Sequence, residues 1–348
     1  MLASRPCSYC VALFSPARAN HRFCTSTCRK LAFKAKKRSE TLKKLSRRLK
    51  TKLQKLAGSV FGKYLHKELL RAKTAQILTG HTAESLTDLV NLRRRCTAAG
   101  GYQNGIPLGE FELSHIYPVS GPQGPGLLHP MNLVICPKSY NRKHARSIPK
   151  EGYSGLWIEK SKVVKKWAVS PGATILESLK IARSFLGESF DQWLKSHQVS
   201  ISQHKQLSKK LAEAGLPEQM LKTMALEELK ALAEEEEVPY FNLNISPQKK
   251  LGVILEESER FPIDEILKGA LIRLYDIDLD WLIQPKYSFK GNDDELKTFQ
   301  DFVIDQVLNS IHGQSFNAQW RGKTFTQWFK VNKSRPYRSE SSVPEEPL

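Results

Sequence analysis

Residues 96–149 read CTAAGGYQNGIPLGEFELSHIYPVSGPQGPGLLHPMNLVICPKSYNRKHARSIP, and the order of elements in this stretch decides what kind of protein the chain is. Phe111 to Tyr117 has the apolar and aromatic content of a strand and stops at Pro118, which has no backbone donor to continue a ladder. A loop rich in Gly and Pro spans 120–130, a second strand runs from Asn132 to Cys136, and Ser139 to Arg146 begins a helix. Strand, loop, strand, helix sets His115 on the first strand and Asn132 at the start of the second. Asn141 and His144, three apart, share one helical face. A histidine opposite an Asn/His helix is one way to hold a divalent cation beside a general base.

Upstream, Cys7, Cys10, Cys24 and Cys28 stand in a C-x2-C-x13-C-x3-C spacing. Two close pairs joined by a hairpin-length loop bring four thiolates to a tetrahedral Zn²⁺ with little strain. Two disulfides are the other outcome, and the lack of an apolar secretory segment behind Met1 argues for reduced thiols and a cytoplasmic protein. Four protein ligands leave a zinc no open position, so such an ion is structural. From Arg29 to Lys55 there are 13 Lys+Arg and one acid, Glu40, with Leu42, Leu45, Leu49, Leu53 and Leu56 at helical spacing. That predicts a long basic helix with one apolar stripe. A solvated face or a membrane-surface helix also accounts for the charge, but the stripe has no aromatic beyond Phe33. Contact with nucleic acid through Arg29, Lys30, Lys34, Lys36, Lys37 and Arg38 is the preferred reading. The net charge of +19 belongs to this end: residues 1–150 hold 28 Lys+Arg and six Asp+Glu, whereas 151–348 hold 26 and 29. Such a field attracts phosphate backbones or anionic lipid surfaces.

The elements SHIYP, MNLVIC and YNRKH, in that order, resemble the HNH, or ββα-metal, nuclease family over about 50 of the 348 residues. RFCTSTCRK resembles the second knuckle of small treble-clef-like fingers in phage and bacterial DNA-handling proteins. The resemblance implies a metal-dependent DNA endonuclease that leaves 5′-phosphate and 3′-hydroxyl ends. His115 then matches the general base, Asn132 the residue that braces the loop, and Asn141 the metal ligand on the helix. His144 matches a second helical ligand or a phosphate contact, and Arg142, Lys143 and Arg146 meet phosphates. The family's first ligand, Asp or His, falls at Ser114, a poor donor for Mg²⁺ or a similar cation, and Glu112 on the same strand face is the candidate replacement. If Tyr140 holds the helical ligand position, His144 becomes the principal ligand. Cys96 and Cys136 each keep one member of the cysteine pairs found in many relatives, with Ala99 and Ser139 at the partner positions, and are expected as small buried residues. The competing expectation is a non-catalytic zinc-finger nucleic-acid-binding protein built on a degenerate scaffold.

Beyond Pro149 the chain reads mainly helical, with helices over 173–186 and from Phe190 to His197. Three amphipathic pieces lie within 204–262, the last two flanking PYFNLNI in the manner of SAP-type and Rho-N-type helix-extension-helix modules. The expected class is α+β, a mainly helical multidomain chain. Its parts are a zinc finger (1–30), a basic helix (31–57), a helical lead-in (58–95) and a ββα module (96–150). A helical region (151–262), a helical C-terminal domain (263–333) and a disordered Ser/Pro/Glu-rich tail (334–348) follow. No G-x-x-x-x-G-K or G-x-G-x-x-G supports nucleotide-driven chemistry, and no apolar run reaches membrane-span length. Duplex DNA is the expected partner, with RNA left open, no membrane partner, and a homodimer as the route to double-strand cutting. A phage, mobile element or defence system is the natural setting.

Overall fold

The computed structural model describes residues 3–144, 155–199, 203–240, 242–278 and 286–332, with all their side chains except those of Leu42 and His144. Strands β1 (Arg5–Pro6) and β2 (Leu13–Phe14) form the hairpin of the N-terminal finger. Helix α1 (Ser26–Ala57) follows without a break, because nothing between its ends is Gly or Pro. Thr25 caps it by accepting from the Cys28 amide at 3.1 Å, so the fourth cysteine lies in the first turn of the basic helix. The expected boundary at residue 30 is therefore the interior of one helix. Ser59 starts α2 (Val60–Ala72) by accepting from the Gly62 amide at 2.9 Å, and Thr82 with Ser85 makes the capping box of α3 (Ala83–Ala99).

A small hairpin, β3 (Tyr102–Gln103) and β4 (Ile106–Pro107), precedes the central one, in which β5 (Phe111–His115) pairs antiparallel with β6 (Leu133–Pro137). Helix α4 (Lys138–His144) leaves directly from β6. Helices α5 (Ile175–Leu186) and α6 (Glu188–Ser196), then α7 (Gln203–Glu213), α8 (Glu218–Thr223) and α9 (Leu226–Glu235), continue the chain. The C-terminal part holds α10 (Lys250–Arg260), α11 (Glu265–Asp278), β7 (Tyr287–Phe289), α12 (Asp293–Ile311), β8 (Gln319–Trp320), β9 (Lys323–Thr324) and β10 (Phe329–Val331). The result is mainly helical α+β, with two-stranded sheets only among the described residues, and no helix among them is long and apolar enough to cross a membrane.

The central hairpin is a wall between two cores. Leu133 and Ile135 of β6 pack with Leu49, Leu53 and Leu56 of α1 and with α2, α3, α5 and α6. Val134 and Cys136 pack on the other side with α10, α11, α12 and the C-terminal strands. A strand buried on both faces reads as a continuous apolar run, which is what LVICP is. Among the described residues, 96–144 are thus not a self-contained unit, and 58–95 builds part of the enclosure around the hairpin. A third, small cluster joins Leu207, Leu211, Leu221, Leu229 and Ala233 of α7, α8 and α9. The expected helix-extension-helix pairing is not formed: α9 belongs to the third cluster and α10 to the second. The segment between them crosses to the β3–β4 hairpin, where Ile245 and Tyr102 exchange N–H···O bonds of 2.8 Å. The tail at 334–348 lies outside the described residues.

The edge of β6 away from β5 is closed by side chains. The amide of Ile135 donates to Glu257 Oε2 at 3.1 Å, and Arg260 Nη2 donates to the carbonyls of Pro130 at 2.8 Å and Leu133 at 3.2 Å. Glu257, fully buried, also accepts from Arg95 Nη2 at 2.6 Å and from Arg260 Nη1. Two residues of α10 supply the partners that a third strand would offer. Burial pushes the Glu257 carboxyl above its ordinary range while Arg260 pulls it the other way.

Candidate functional site

The four N-terminal sulfurs converge. Those of Cys7, Cys10, Cys24 and Cys28 all lie within 4.8 Å of one another, with Cys10–Cys24 at 3.5 Å and Cys24–Cys28 at 3.4 Å, and all four are free thiols. Sulfurs held about 2.3 Å from a tetrahedral zinc stand about 3.8 Å apart, so the cage has the right size. Val11, in the left-handed region at φ 63°, closes the first knuckle by donating to the Cys7 carbonyl at 3.0 Å. The second knuckle is carried by the first turn of α1. The amide of Cys10 draws the Cys7 thiol down to about 6, whereas the thiols of Cys28 and Cys10 push Cys24 up to about 12. Four thiols this close ionise together only around a cation, and zinc is the divalent ion suited to four thiolates.

From that cage α1 carries the basic run. Arg29, Lys30, Lys34, Lys36, Lys37 and Arg38 are all exposed, and so are Leu31 and Phe33. Packing against the first core begins only at Leu45 and continues through Leu49, Leu53 and Leu56. Between Cys28 and Leu45 the helix is not packed against the first core and is crowded with like charge.

Alternation along β5 divides the predicted catalytic residues between the two faces of the hairpin. On the second-core side, Asn141 Nδ2 donates to Glu112 Oε2 at 2.7 Å, and Ser114 Oγ lies 3.3 Å from His312 Nε2. On the first-core side, His115 Nδ1 lies 3.4 Å from Arg71 Nη2. Glu112 and Asn141 thus meet, while among the described residues no hydrogen bond joins His115 to either. Glu112 and Asn141 both carry side-chain oxygens, the donor type that Mg²⁺ takes. Ser114 and Tyr140, the two positions where the family pattern would place further ligands, both face the buried His312. Tyr140 Oη lies 3.4 Å from His312 Nδ1 and donates to Asn309 Oδ1 at 3.1 Å. Lys143 pairs with Asp305 at 3.4 Å, and Arg142 borders a groove together with Lys138, Lys249 and Lys250. The side chain of His144, and Arg146 entirely, lie outside the described residues. Cys96 and Cys136 are fully buried, and burial pushes the Cys96 thiol to about 11.

An arginine only donates, so His115 Nδ1 is the acceptor and the ring proton sits on Nε2. That Nε2 is sealed from solvent and has no hydrogen-bond partner among the described residues. Burial, and then the Arg71 guanidinium, push the imidazole down to about 3, which keeps it neutral. Arg71 is itself held at 3.3 Å by Glu68, a buried carboxylate on the same helix.

The loop between the strands is pinned from two directions. Asn132, with no exposed surface, accepts from the amides of Tyr117 at 2.9 Å and Leu156 at 3.0 Å and donates to the carbonyls of Tyr117 at 3.1 Å and Leu127 at 2.8 Å. His81 Nε2 donates to the Leu128 carbonyl at 2.7 Å and its Nδ1 accepts from Ser85 at 2.8 Å, with the His129 ring 4.7 Å away. Burial holds His81 down to about 4. A histidine lowered on folding binds fewer protons than in the unfolded chain. Its contribution is therefore complete above about pH 6.5 and is lost as pH falls toward 4. Lowering the pH from 7 to 5 should cost about 2 kcal/mol through this residue, read as a fall in the urea midpoint that His81→Gln largely removes.

Glu68, Arg71 and His312 were not singled out in the sequence. Glu68 had one signal, a lone acid in the apolar stripe of Phe61, Leu65 and Leu69, whereas Arg71 and His312 had none. Comparison of the chain with protein-family models, with curated proteins and with solved structures found no match.

Proposed function

We propose that the chain is a DNA-handling protein whose zinc-bound finger and basic helix hold a duplex while the central hairpin hydrolyses a phosphodiester. The observation that carries the hydrolytic part is the placement of His115 at a strand end, with Nδ1 3.4 Å from the Arg71 guanidinium. The imidazole takes a proton from water, the water oxygen adds to phosphorus, and the bond from phosphorus to O3′ breaks. The departing O3′ takes a proton from solvent, leaving 5′-phosphate and 3′-hydroxyl ends. Glu112 and Asn141 are the residues that would hold Mg²⁺, an ion that would supply positive charge beside a phosphate, and they do so from the face of β5 opposite His115, to which activation of the water is assigned. Zinc in the cysteine cage is structural.

The deciding assay is relaxation of supercoiled plasmid by the full chain with Mg²⁺, Mn²⁺, Ni²⁺ or EDTA. Metal-dependent nicks are expected, and His115→Ala should slow them by roughly 10²–10⁴-fold, the usual share of a general base. Salt-sensitive duplex binding without a nick under any metal would overturn hydrolysis. That outcome belongs to a second reading, a nucleic-acid-binding protein with a non-catalytic hairpin, which is favoured by the engagement of Ser114 and Tyr140 with His312.

A further inference from the structure

We infer that Arg71 is the phosphate hook of this site: its guanidinium covers His115 Nδ1 in the free protein and transfers one arm to a phosphate of the bound strand, uncovering Nδ1 as it does so. The inference rests on the hydrolytic reading above and adds a residue that lies outside the hairpin. Three observations support it. Helix α2 brings Arg71, 44 positions earlier in the chain, to within 3.4 Å of the one ring nitrogen that carries a lone pair. The Arg71 side chain is 49% exposed and pairs through Nη1 with Glu68, which is 7% exposed, so the guanidinium lies at the protein surface with a buried carboxylate behind it. The contact with Nδ1 is long for a hydrogen bond and goes to an uncharged acceptor. A phosphate oxygen is anionic and accepts from a guanidinium at about 2.7–2.9 Å with roughly twice the strength.

The fork of the guanidinium allows the exchange. Nη1 stays on Glu68 while Nη2 trades the imidazole for a phosphate oxygen, so no buried carboxylate is stranded. Nδ1 is then exposed only when a phosphodiester is present, and the water that gives it a proton lies beside the phosphorus it will attack. Lysine, a single ammonium, cannot keep one arm on Glu68 while a second arm passes from the imidazole to a phosphate.

Two readouts test this on the full chain. The first is the salt dependence of binding to a 30-base-pair duplex in EDTA, where no cutting occurs, for wild type, Glu68→Gln, and the pair Glu68→Gln with Arg71→Gln. The paired variant leaves no unpaired buried charge, and thermal melts confirm that it is folded. Relative to Glu68→Gln, adding Arg71→Gln should flatten the slope of log K against log salt by about 0.9, the loss of one phosphate contact. The second readout is plasmid nicking at saturating DNA, where Arg71→Gln and Arg71→Lys should each lower the rate by about 10²-fold or more. An unchanged slope overturns the inference whatever the nicking shows. A flattened slope in a protein whose wild type never nicks upholds the phosphate contact and overturns hydrolysis instead. A flattened slope with Arg71→Lys nicking at the wild-type rate overturns the hook mechanism and leaves a simple surface charge.

Discussion

Stripping the metal from the cysteine cage should unfold residues 3–25 and leave the two large cores melting as before. Only Cys7 and Pro16 are buried in that segment, and its two strands are two residues long, so no apolar core holds it without the ion. A structural zinc site contributes on the order of 10–16 kcal/mol of apparent binding energy, far more than such a hairpin can supply by burial. One zinc per chain is the expected content, and Cys24→Ser should abolish it. Chelation should open residues 3–25 to protease and to hydrogen exchange and weaken duplex binding, while Leu49, Leu53 and Leu56 keep α1 docked. Full protection of this segment in protein that contains no metal would contradict the argument.

Glu257→Ala should be the most destabilising single change in the body of the protein, at about 3–5 kcal/mol, the usual cost of removing one partner from a buried ion pair. The substitution orphans the Ile135 amide and leaves the mostly covered Arg260 without its counter-charge, at the strand on which both cores meet. Glu257→Gln keeps an acceptor for Ile135 and should cost less. Both effects are read as urea midpoints, with hydrogen exchange at Ile135 reporting the edge of β6 directly. Equal stability of the alanine variant and wild type would show that the second core holds the strand without this network.

What was legible in the sequence was local. The cysteine spacing, the uninterrupted basic helix, and strands bracketing a Gly/Pro loop all come from residues near one another, and the central strands lie within two residues of where the pattern set them. What was not legible depends on distant pairs. Arg71 with His115, Ser114 with His312 and Arg95 with Glu257 are separated by 44, 198 and 162 positions, and no periodicity in the chain marks such a meeting. The opposed orientation of Glu112 and His115 was implicit in the period of a strand, yet its consequence emerged only once a different core stood on each face. The same holds for α9 and α10, whose amphipathic patterns suit a helix pair but are each satisfied by another partner.

The continuity of α1 gives the protein a ruler. About 17 residues separate Cys28, at the cage, from Leu45, where docking begins, and at about 1.5 Å per residue they span about 26 Å. Along B-form DNA that is about eight base pairs, so on the proposed duplex-holding reading contacts made by the finger and by the body would fall at a set interval and on a set side of the duplex. An inserted alanine near Thr41 would turn the finger by about 100° relative to the body, whereas four would add about 6 Å and nearly restore its phase. Spacing and phase are then inherited from the backbone of a single helix.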